Sequence, residues 1–157
     1  MFLGDIQIAS DSPFRRDVLD LLEQHLADMR ATSPPESVHA LDPNALRAPS
    51  ISFFTAREGG VLLGCGALSA LGDCEGEVKS MHTTPRARGR GVATLLLERI
   101  LNEARTQGFS AVSLETGIEQ YFSAARSLYA RFGFIECAPF ASYTDDPNSV
   151  YFRIDLA

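Results

Sequence analysis

The residues best suited to chemistry lie in one short turn, which holds three arginines and two glycines: Arg86, Arg88, Gly89, Arg90 and Gly91. A strand-like run precedes this turn at 78–83, and an amphipathic segment follows it at 91–107. Glycine allows a close backbone approach and backbone angles that other residues resist. A helix N-terminus presents unpaired N–H groups and the positive end of the helix dipole. The turn therefore predicts an anion site, most naturally for a pyrophosphate.

Two common phosphate motifs do not fit this turn. A P-loop would continue with Gly-Lys-Ser/Thr, which is absent, and a dinucleotide fingerprint would have glycine or alanine where Thr94 stands. Arg86-x-x-Gly89-x-Gly91 instead resembles the acetyl-CoA pyrophosphate motif Gln/Arg-x-x-Gly-x-Gly/Ala of the GNAT N-acetyltransferase superfamily. The alternative is a strand-to-helix turn whose arginines are simply solvated.

A second segment, 125–134, resembles the GNAT helix-to-strand sequence A-x-x-L-Y-x-x-x-G-F. Without any family, its apolar residues indicate a helix end followed by a strand, and Gly133 fits the left-handed position after the helix. Tyr129 is less simply explained, because a core tyrosine still needs a partner for its hydroxyl. Both motifs occur in the family's order and spacing, and the resemblance covers about 50–157.

Composition limits the class of protein. The chain has 157 residues, 45% of them hydrophobic, and a net charge of −6, which suits one compact domain. By resemblance we expect that domain to be a single N-acetyltransferase domain over 1–157. The acidity argues against nucleic-acid binding, and no apolar run is long enough to span a membrane. Three cysteines without a paired spacing favour reduced thiols and a cytoplasmic location. No His/Cys cluster has the spacing of metal ligands, so we expect no metal.

Hydrophobic periodicity and turn residues predict seven strands and three helices. The strands are expected at 2–9, 51–57, 61–71, 77–83, 110–115, 134–138 and 150–156, and the helices from Pro13 to about Arg30 and at 91–107 and 119–132. This order predicts an α+β fold with a mixed, mostly antiparallel sheet of six to seven strands and helices on both faces. The GNAT fold has this order, and the resemblance implies a splay between strands four and five that admits the cofactor's pantetheine arm.

The resemblance also implies which residues bind acetyl-CoA, the co-substrate. The backbone of strand four would bond the pantetheine, and N–H groups of 88–94 would hold the pyrophosphate. The predicted cofactor-binding set is Met81, His82, Thr83, Arg86, Arg88, Gly89, Arg90, Gly91, Val92, Ala93 and Thr94. Because His82 alternates with Met81, its side chain should point to the opposite face, and we expect it to be packed or hydrogen-bonded rather than catalytic.

Acetyl transfer to an amine needs a base for the ammonium and benefits from an acid for the departing thiolate. By resemblance the acid is Tyr129, against the alternative of a structural tyrosine. Glu77, six residues before Thr83, matches the family's catalytic glutamate, against the alternative of a salt-bridged carboxylate. Glu115 is a rival base or an amine-binding group. His39, in the Pro-rich segment 32–50, is a weaker acceptor-site candidate or an exposed loop histidine.

These residues predict an acetyl-CoA-dependent N-acetyltransferase that transfers an acetyl group directly to a primary amine of a small molecule. Two alternatives stay open. One is an acetyltransferase acting on protein N-termini or lysines, and the other is a non-catalytic acyl-CoA sensor, which would not need Tyr129 and Glu77. A homodimer is also left open by the sequence.

Overall fold

The computed structural model describes residues 5–38 and 42–156. Its strands are β1 (Ile6–Ser10), β2 (Ile51–Glu58), β3 (Val61–Gly72), β4 (Glu75–Thr83), β5 (Ala111–Gly117), β6 (Ile135–Cys137) and β7 (Ser149–Asp155). Its α-helices are α1 (Arg16–Thr32), α2 (Val92–Thr106) and α3 (Ser123–Phe132), with short 3₁₀ turns at Pro35–Ser37, Ala45–Arg47, Pro85–Ala87 and Gln120–Phe122. The predicted elements are therefore present in the predicted order.

Several boundaries differ from prediction, and α1 begins at Arg16 rather than at Pro13. The β3–β4 turn, expected over 72–76, is shorter because Asp73 and Cys74 both take left-handed angles (φ 53° and 58°), which suit a two-residue hairpin. The expected helix over 119–132 opens with a 3₁₀ turn and becomes α-helical only at Ser123. Residues 138–148 form a long loop between β6 and β7, and the turn residues Pro147 and Asn148 lie at its end.

All seven strands form one sheet in the order β1-β2-β3-β4-β5-β7-β6. Every neighbouring pair is antiparallel except β4 and β5, which are parallel. That parallel pairing joins only Glu75–Glu77 to Ala111–Ser113, although both strands continue further. Beyond Glu77 and Ser113 the strands diverge, which confirms the predicted splay and opens a cleft in the middle of the sheet.

Two hydrophobic clusters cover the two faces of the sheet. One packs α1 through Val18 and Leu21 against alternate residues of β2 and β3, including Phe53 and Cys65. The other packs α2 and α3 against the opposite alternation, which includes Phe54. The alternation of Phe53 and Phe54 shows that the clusters lie on opposite faces, because successive side chains of a strand point to opposite sides. Helices therefore lie on both faces, as predicted. Across 5–38 and 42–156, no helix combines the length and the apolar character that crossing a membrane would require.

Candidate active site

The cleft between the diverging strands has a volume of about 100 Å³. Its floor comes from β4 and β5, and its walls from α1, α3 and the β6–β7 loop. The polar side chains that line it are His25, Ser33, Ser37, Glu77, Lys79, Ser80, Glu115, Thr116, Tyr129 and Tyr143. The structure therefore brings Tyr129, Glu77 and Glu115 to one cleft, which the sequence could assign only through a resemblance.

A β-bulge in β4 shapes the floor of the cleft. Cys65 pairs with His82 and Ala67 pairs with Lys79, so the single residue Gly66 faces both Ser80 and Met81. Ser80 takes a left-handed φ of 55°. The Ser80 carbonyl accepts a hydrogen bond from the Cys65 thiol at 3.3 Å. Complete burial raises the pKa of that thiol to about 12, so it stays protonated and able to donate.

The bulge decides which β4 side chains share a face. Cross-strand partners lie on the same face of a sheet, and the β3 partners of Lys79 and His82 both belong to the α1 cluster. Met81 instead packs with the α2 cluster. Lys79 and His82, three residues apart, therefore lie on the α1 face, which strict alternation would not allow.

Glu77 lies at the centre of a buried polar cluster, with 5% of its surface exposed. The hydroxyl of Tyr143 donates to its Oε2 at 2.6 Å, and Nζ of Lys79 donates to the same oxygen at 3.2 Å. Lys79 also donates to the hydroxyl oxygen of Tyr143 at 3.0 Å. Burial, followed by the Glu77 carboxylate, raises the pKa of Tyr143. Glu77 is therefore salt-bridged, which the sequence analysis allowed as the alternative to a catalytic role. Its two partners, Lys79 and Tyr143, both line the cleft.

Tyr129 is almost fully buried at the cleft wall, with 6% of its surface exposed. Its ring packs edge-on to Phe134, with 5.7 Å between ring centroids. Burial, and secondly the Glu115 carboxylate, raises the pKa of its hydroxyl, so the phenol is protonated at neutral pH. A protonated phenol at this place suits an acid. Glu115 itself accepts a hydrogen bond from the Ser149 hydroxyl at 2.8 Å.

Two histidine rings pack against each other, tilted by 38°, at the edge of the cleft. His82 is buried, as predicted, and its ring centroid lies 4.5 Å from that of His25 on α1. Nδ1 of His25 and Nε2 of His82 are buried without a hydrogen-bond partner among the described residues. Burial lowers the pKa of His25 to about 4. Burial, and secondly the neighbouring His25 and Arg88, lowers the pKa of His82 to about 3, so both rings are neutral at pH 7.

The arginine-rich turn has the geometry that an anion site needs. Gly89 and Gly91 both have φ 80°, and a Cβ built on either would meet no atom within 4 Å. Gly91 is the N-cap of α2, so the N–H groups of the first helical turn (Val92, Ala93, Thr94) have no partner within the helix. The N–H of Arg90 differs, because it bonds to the Ala87 carbonyl at 3.2 Å. These residues fit a pyrophosphate.

The three arginines of the turn are not equivalent. The guanidinium of Arg90 forms an ion pair with Glu58 of β2, with 2.7 Å between Nη2 and Oε2. Arg88 is exposed and interacts with the hydroxyl of Tyr121, which also donates to Asp28 of α1 at 3.2 Å. Arg86 is exposed. The positive charge expected of Arg90 is therefore partly balanced by Glu58.

Two hydrogen bonds join the end of α1 and the turn after it to loops across the cleft. Ser37, in the 3₁₀ turn after α1, donates to Asp146 of the β6–β7 loop at 2.6 Å. Ser33 donates to Glu119 at 3.1 Å. His39 lies outside the described residues. Within 5–38 and 42–156, no group of three or more His, Cys, Asp or Glu side chains could hold a metal ion.

Sequence reasoning missed most of the polar residues that line the cleft, among them His25, Lys79 and Tyr143. A signal existed for Lys79, because residues two apart on a strand share a face and Glu77 is such a neighbour. His25 carried no signal beyond its place in an amphipathic helix. Tyr143 lies in the connection between the last two predicted strands, and only the fold brings it to β4.

Comparisons with known proteins agree with this geometry. The family model of the acetyltransferase (GNAT) family matches residues 18–134. The uncharacterized N-acetyltransferase YsnE of Bacillus subtilis is 47% identical over 93% of this chain and 97% of its own. The IAA acetyltransferase of Azospirillum brasilense is 41% identical over 98% of this chain and 100% of its own. The crystal structure of a Bacillus subtilis acetyltransferase in complex with CoA shares the fold, with a TM-score of 0.73, 17% identity and coverage of 98% and 100%.

Proposed function

Because the chain belongs to the GNAT family and is an acetyltransferase, we propose that it transfers an acetyl group from acetyl-CoA to a primary amine of a small molecule. The transfer is direct, within a ternary complex. The observation that carries this proposal is that Tyr129 and Glu77 line one cleft, where β4 and β5 separate. One wall thus supplies an acid and the floor supplies a base.

Acetyl-CoA binds across the splay and the turn before α2. Gly89, Gly91 and the first amides of α2 hold its pyrophosphate, with Arg86 and Arg88 adding charge. The backbone of Met81, His82 and Thr83 bonds the pantetheine. The fit of the turn and the likeness to a fold that has been crystallised with CoA support this assignment.

The residues of the cleft divide the chemistry. The backbone N–H of Met81, beside the bulge, donates to the carbonyl oxygen on which negative charge develops. Tyr129 donates its proton to the leaving sulfur, and the raised pKa of its hydroxyl keeps that proton in place until then. Glu77 is the final acceptor of the proton that leaves the ammonium. Glu115, the other candidate for the base, binds the acceptor amine instead.

The enclosure of the cleft favours a small acceptor. The bonds Ser37–Asp146 and Ser33–Glu119 join α1 and its following turn to the loops opposite. A cleft of about 100 Å³, lined in part by Ser33 and Ser37, has room for a compact amine. The name of the Azospirillum relative, an IAA acetyltransferase, also supports a small-molecule substrate class.

A screen of acceptors tests this function. The purified protein is mixed with acetyl-CoA and one amine at a time, from a panel of tyramine, histamine, spermidine, free amino acids and short peptides. Free thiol release gives the rate, and mass spectrometry must show the matching acetylated amine. Turnover of small amines supports the proposal. Acetylation of peptides alone would indicate a protein substrate, and CoA binding without any transfer would indicate a sensor.

A further inference from the structure

We infer that Lys79 is a positioning residue for Glu77: its ammonium anchors Oε2 and keeps the carboxylate ionised, which leaves Oε1 to take the proton of the acceptor ammonium. This inference rests on the proposed function and adds to it one residue that acts through the base. Lys79 is also the only lysine of the chain, whose 13 other basic residues of the Lys and Arg type are all arginines. The single lysine thus lines the proposed active site.

The contact between Glu77 and Lys79 is built into strand β4. The two residues lie two positions apart and precede the bulge, so their side chains point to the same face of the sheet. Ala67, the β3 partner of Lys79, places that face on the side of α1. Val78, between them, packs in the α2 cluster on the opposite face. The pair therefore needs no loop to bring it together.

The two carboxylate oxygens of Glu77 are used unequally. Its Oε2 accepts from Nζ of Lys79 at 3.2 Å and from the hydroxyl of Tyr143 at 2.6 Å. Its Oε1 accepts no hydrogen bond from the residues that the structure describes, and it is not one of their fully buried polar atoms that lack a partner. Oε1 is therefore the accessible oxygen, and Glu77 lines the cleft. Anchoring Oε2 leaves Oε1 available for direct capture of a proton.

The charge of Lys79 opposes the effect of burial on Glu77. Burial favours the neutral form of a carboxyl group, whereas a nearby opposite charge favours the ionised form. The side chains of Glu77 and Lys79 are only 6% and 12% exposed, so water screens their attraction little. A carboxylate must be ionised to act as a base. Lys79 therefore holds Glu77 in the form that the reaction requires.

No second cation lines the cleft among the described residues, so none could replace Lys79. The titratable groups that surround Glu77 there come from five elements: Lys79 from β4, Glu115 from β5, Tyr143 from the β6–β7 loop, His25 from α1 and Tyr129 from α3. Burial lowers the pKa of His25 to about 4, so that ring is neutral at pH 7. Glu115 adds negative charge, which disfavours a second carboxylate nearby.

An ammonium suits this position better than a guanidinium. The Glu77 and Tyr143 oxygens lie 2.6 Å apart, and Nζ of Lys79 donates to both, at 3.2 Å and 3.0 Å. A lysine ammonium is a compact charge with three rotatable donors, whereas an arginine guanidinium is a rigid planar fork. Lys79→Arg should therefore keep the charge beside Glu77 and alter the geometry of the anchor.

The test compares kcat/KM across pH for the wild type and Lys79→Met, with acetyl-CoA and the fastest amine of the panel. Methionine keeps most of the apolar stem and removes the ammonium. The acidic limb should move to higher pH by about one unit or more, because the carboxylate loses its opposite charge. The rate above the limb should fall by about 10- to 100-fold, since the base is no longer anchored on that side. Acetyl-CoA affinity, measured by calorimetry, should not change.

Three variants complete the comparison. Lys79→Arg should return the acidic limb towards its wild-type pH, because the charge is restored. Arg153→Met is the matched control: Nη1 of Arg153 lies 2.7 Å from Oε1 of Glu75, so it removes a cation from another carboxylate of β4. That control should leave the limb in place. If Lys79→Met does not fold, Lys79→Gln, which keeps an N–H donor, serves in the same comparison.

A double variant shows whether Lys79 acts through Glu77. Glu77→Gln and Glu77→Gln/Lys79→Met should transfer acetyl at the same rate, because a positioning residue has no effect once the base is gone. A further loss in the double variant would overturn the inference, since Lys79 would then act independently.

The position of the acidic limb separates the two levels of the argument. If Glu77→Gln loses the limb while Lys79→Met keeps it at the wild-type pH, Lys79 does not position the base and the inference fails, although the proposed function stands. If Glu77→Gln itself keeps the limb, Glu77 is not the base, and both fail.

Discussion

The hydroxyl of Tyr143 lies 2.6 Å from Oε2 of Glu77, so a loop between the last two strands is hydrogen-bonded to a carboxylate in the floor of the cleft. Lys79 completes the cluster from the same strand as Glu77. The loop carrying Tyr143 is also joined to the turn after α1 through Ser37 and Asp146. Segments that would enclose the acceptor are therefore connected directly to the proposed base.

Glu77→Gln should remove the acidic limb of the kcat/KM profile, because that limb reports protonation of the base. The loss should be greatest for acceptors that are protonated at the assay pH. Raising the pH should restore much of the rate, since the amine then arrives neutral. Steady-state rates across pH, with amines of different pKa, provide the measurement.

Glu115→Gln is the control for the rival base. Glu115 lines the same cleft and its side chain is held by Ser149. Its change to Gln should leave the acidic limb in place. The opposite outcome, with the limb lost in Glu115→Gln and kept in Glu77→Gln, would reassign the base to Glu115.

Gly89→Glu and Gly91→Glu should each abolish CoA binding in calorimetry. Both glycines take φ 80°, where any other L-residue is strained, and a glutamate adds bulk and negative charge to an anion site. Gly108→Glu is the matched control, because it has φ 81° and equal open space at the far end of α2. The control should bind CoA normally, and wild-type affinity in both test variants would place the pyrophosphate elsewhere.

Arg88→Gln should weaken CoA about tenfold at low salt, as expected for a lost charge-assisted hydrogen bond. Arg90 is paired with Glu58, so the double change Glu58→Gln/Arg90→Gln leaves the local net charge unaltered. We expect this double variant to change CoA affinity much less than Arg88→Gln does. An equal loss in both variants, measured by titration at two salt concentrations, would show that Arg90 contacts the phosphates itself.

Stability should fall as the pH drops from about 6.5 towards 4, because of the His25–His82 pair. Both folded-state pKa values, about 4 and about 3, lie below the ordinary histidine value of 6.5. The unfolded chain therefore binds more protons in this range, and the free energy of unfolding rises with pH there. Between pH 7 and pH 5 the contribution of His82 is roughly 2 kcal/mol.

Urea denaturation of the wild type and of His82→Gln at both pH values isolates that contribution. The wild type should lose more stability on acidification than the variant, since glutamine does not titrate. Parallel losses in the two proteins would mean that His82 titrates normally in the folded state.

The secondary-structure elements and the conformation of the arginine-rich turn were predictable from sequence because their causes are local. The glycines of the turn and the apolar repeat of α2 can be recognised from a few neighbouring residues. Gly133 ends α3 in the left-handed conformation, as expected (φ 101°). The splay of β4 and β5 was expected only by resemblance, because it depends on how far two distant strands stay paired.

The side chains that face the cleft were harder to predict. The bulge at Ser80 moves His82 onto the same face as Lys79, and nothing in the local sequence marks the position of that extra residue. Tyr143 reaches Glu77 only through the pairing of β5, β6 and β7. Contacts of this kind depend on tertiary structure, so periodicity could not reveal them.

We propose that acetyl transfer takes place in the cleft with Tyr129 as the acid, and the Tyr129→Phe variant is the decisive test of that role. The change keeps the ring that packs on Phe134 and removes only the hydroxyl. Single-turnover transfer from acetyl-CoA to the best amine should slow by ~10²–10⁴-fold, with acetyl-CoA affinity nearly unchanged. If the variant transfers acetyl at the wild-type rate, Tyr129 is not the acid and serves only as a packing residue.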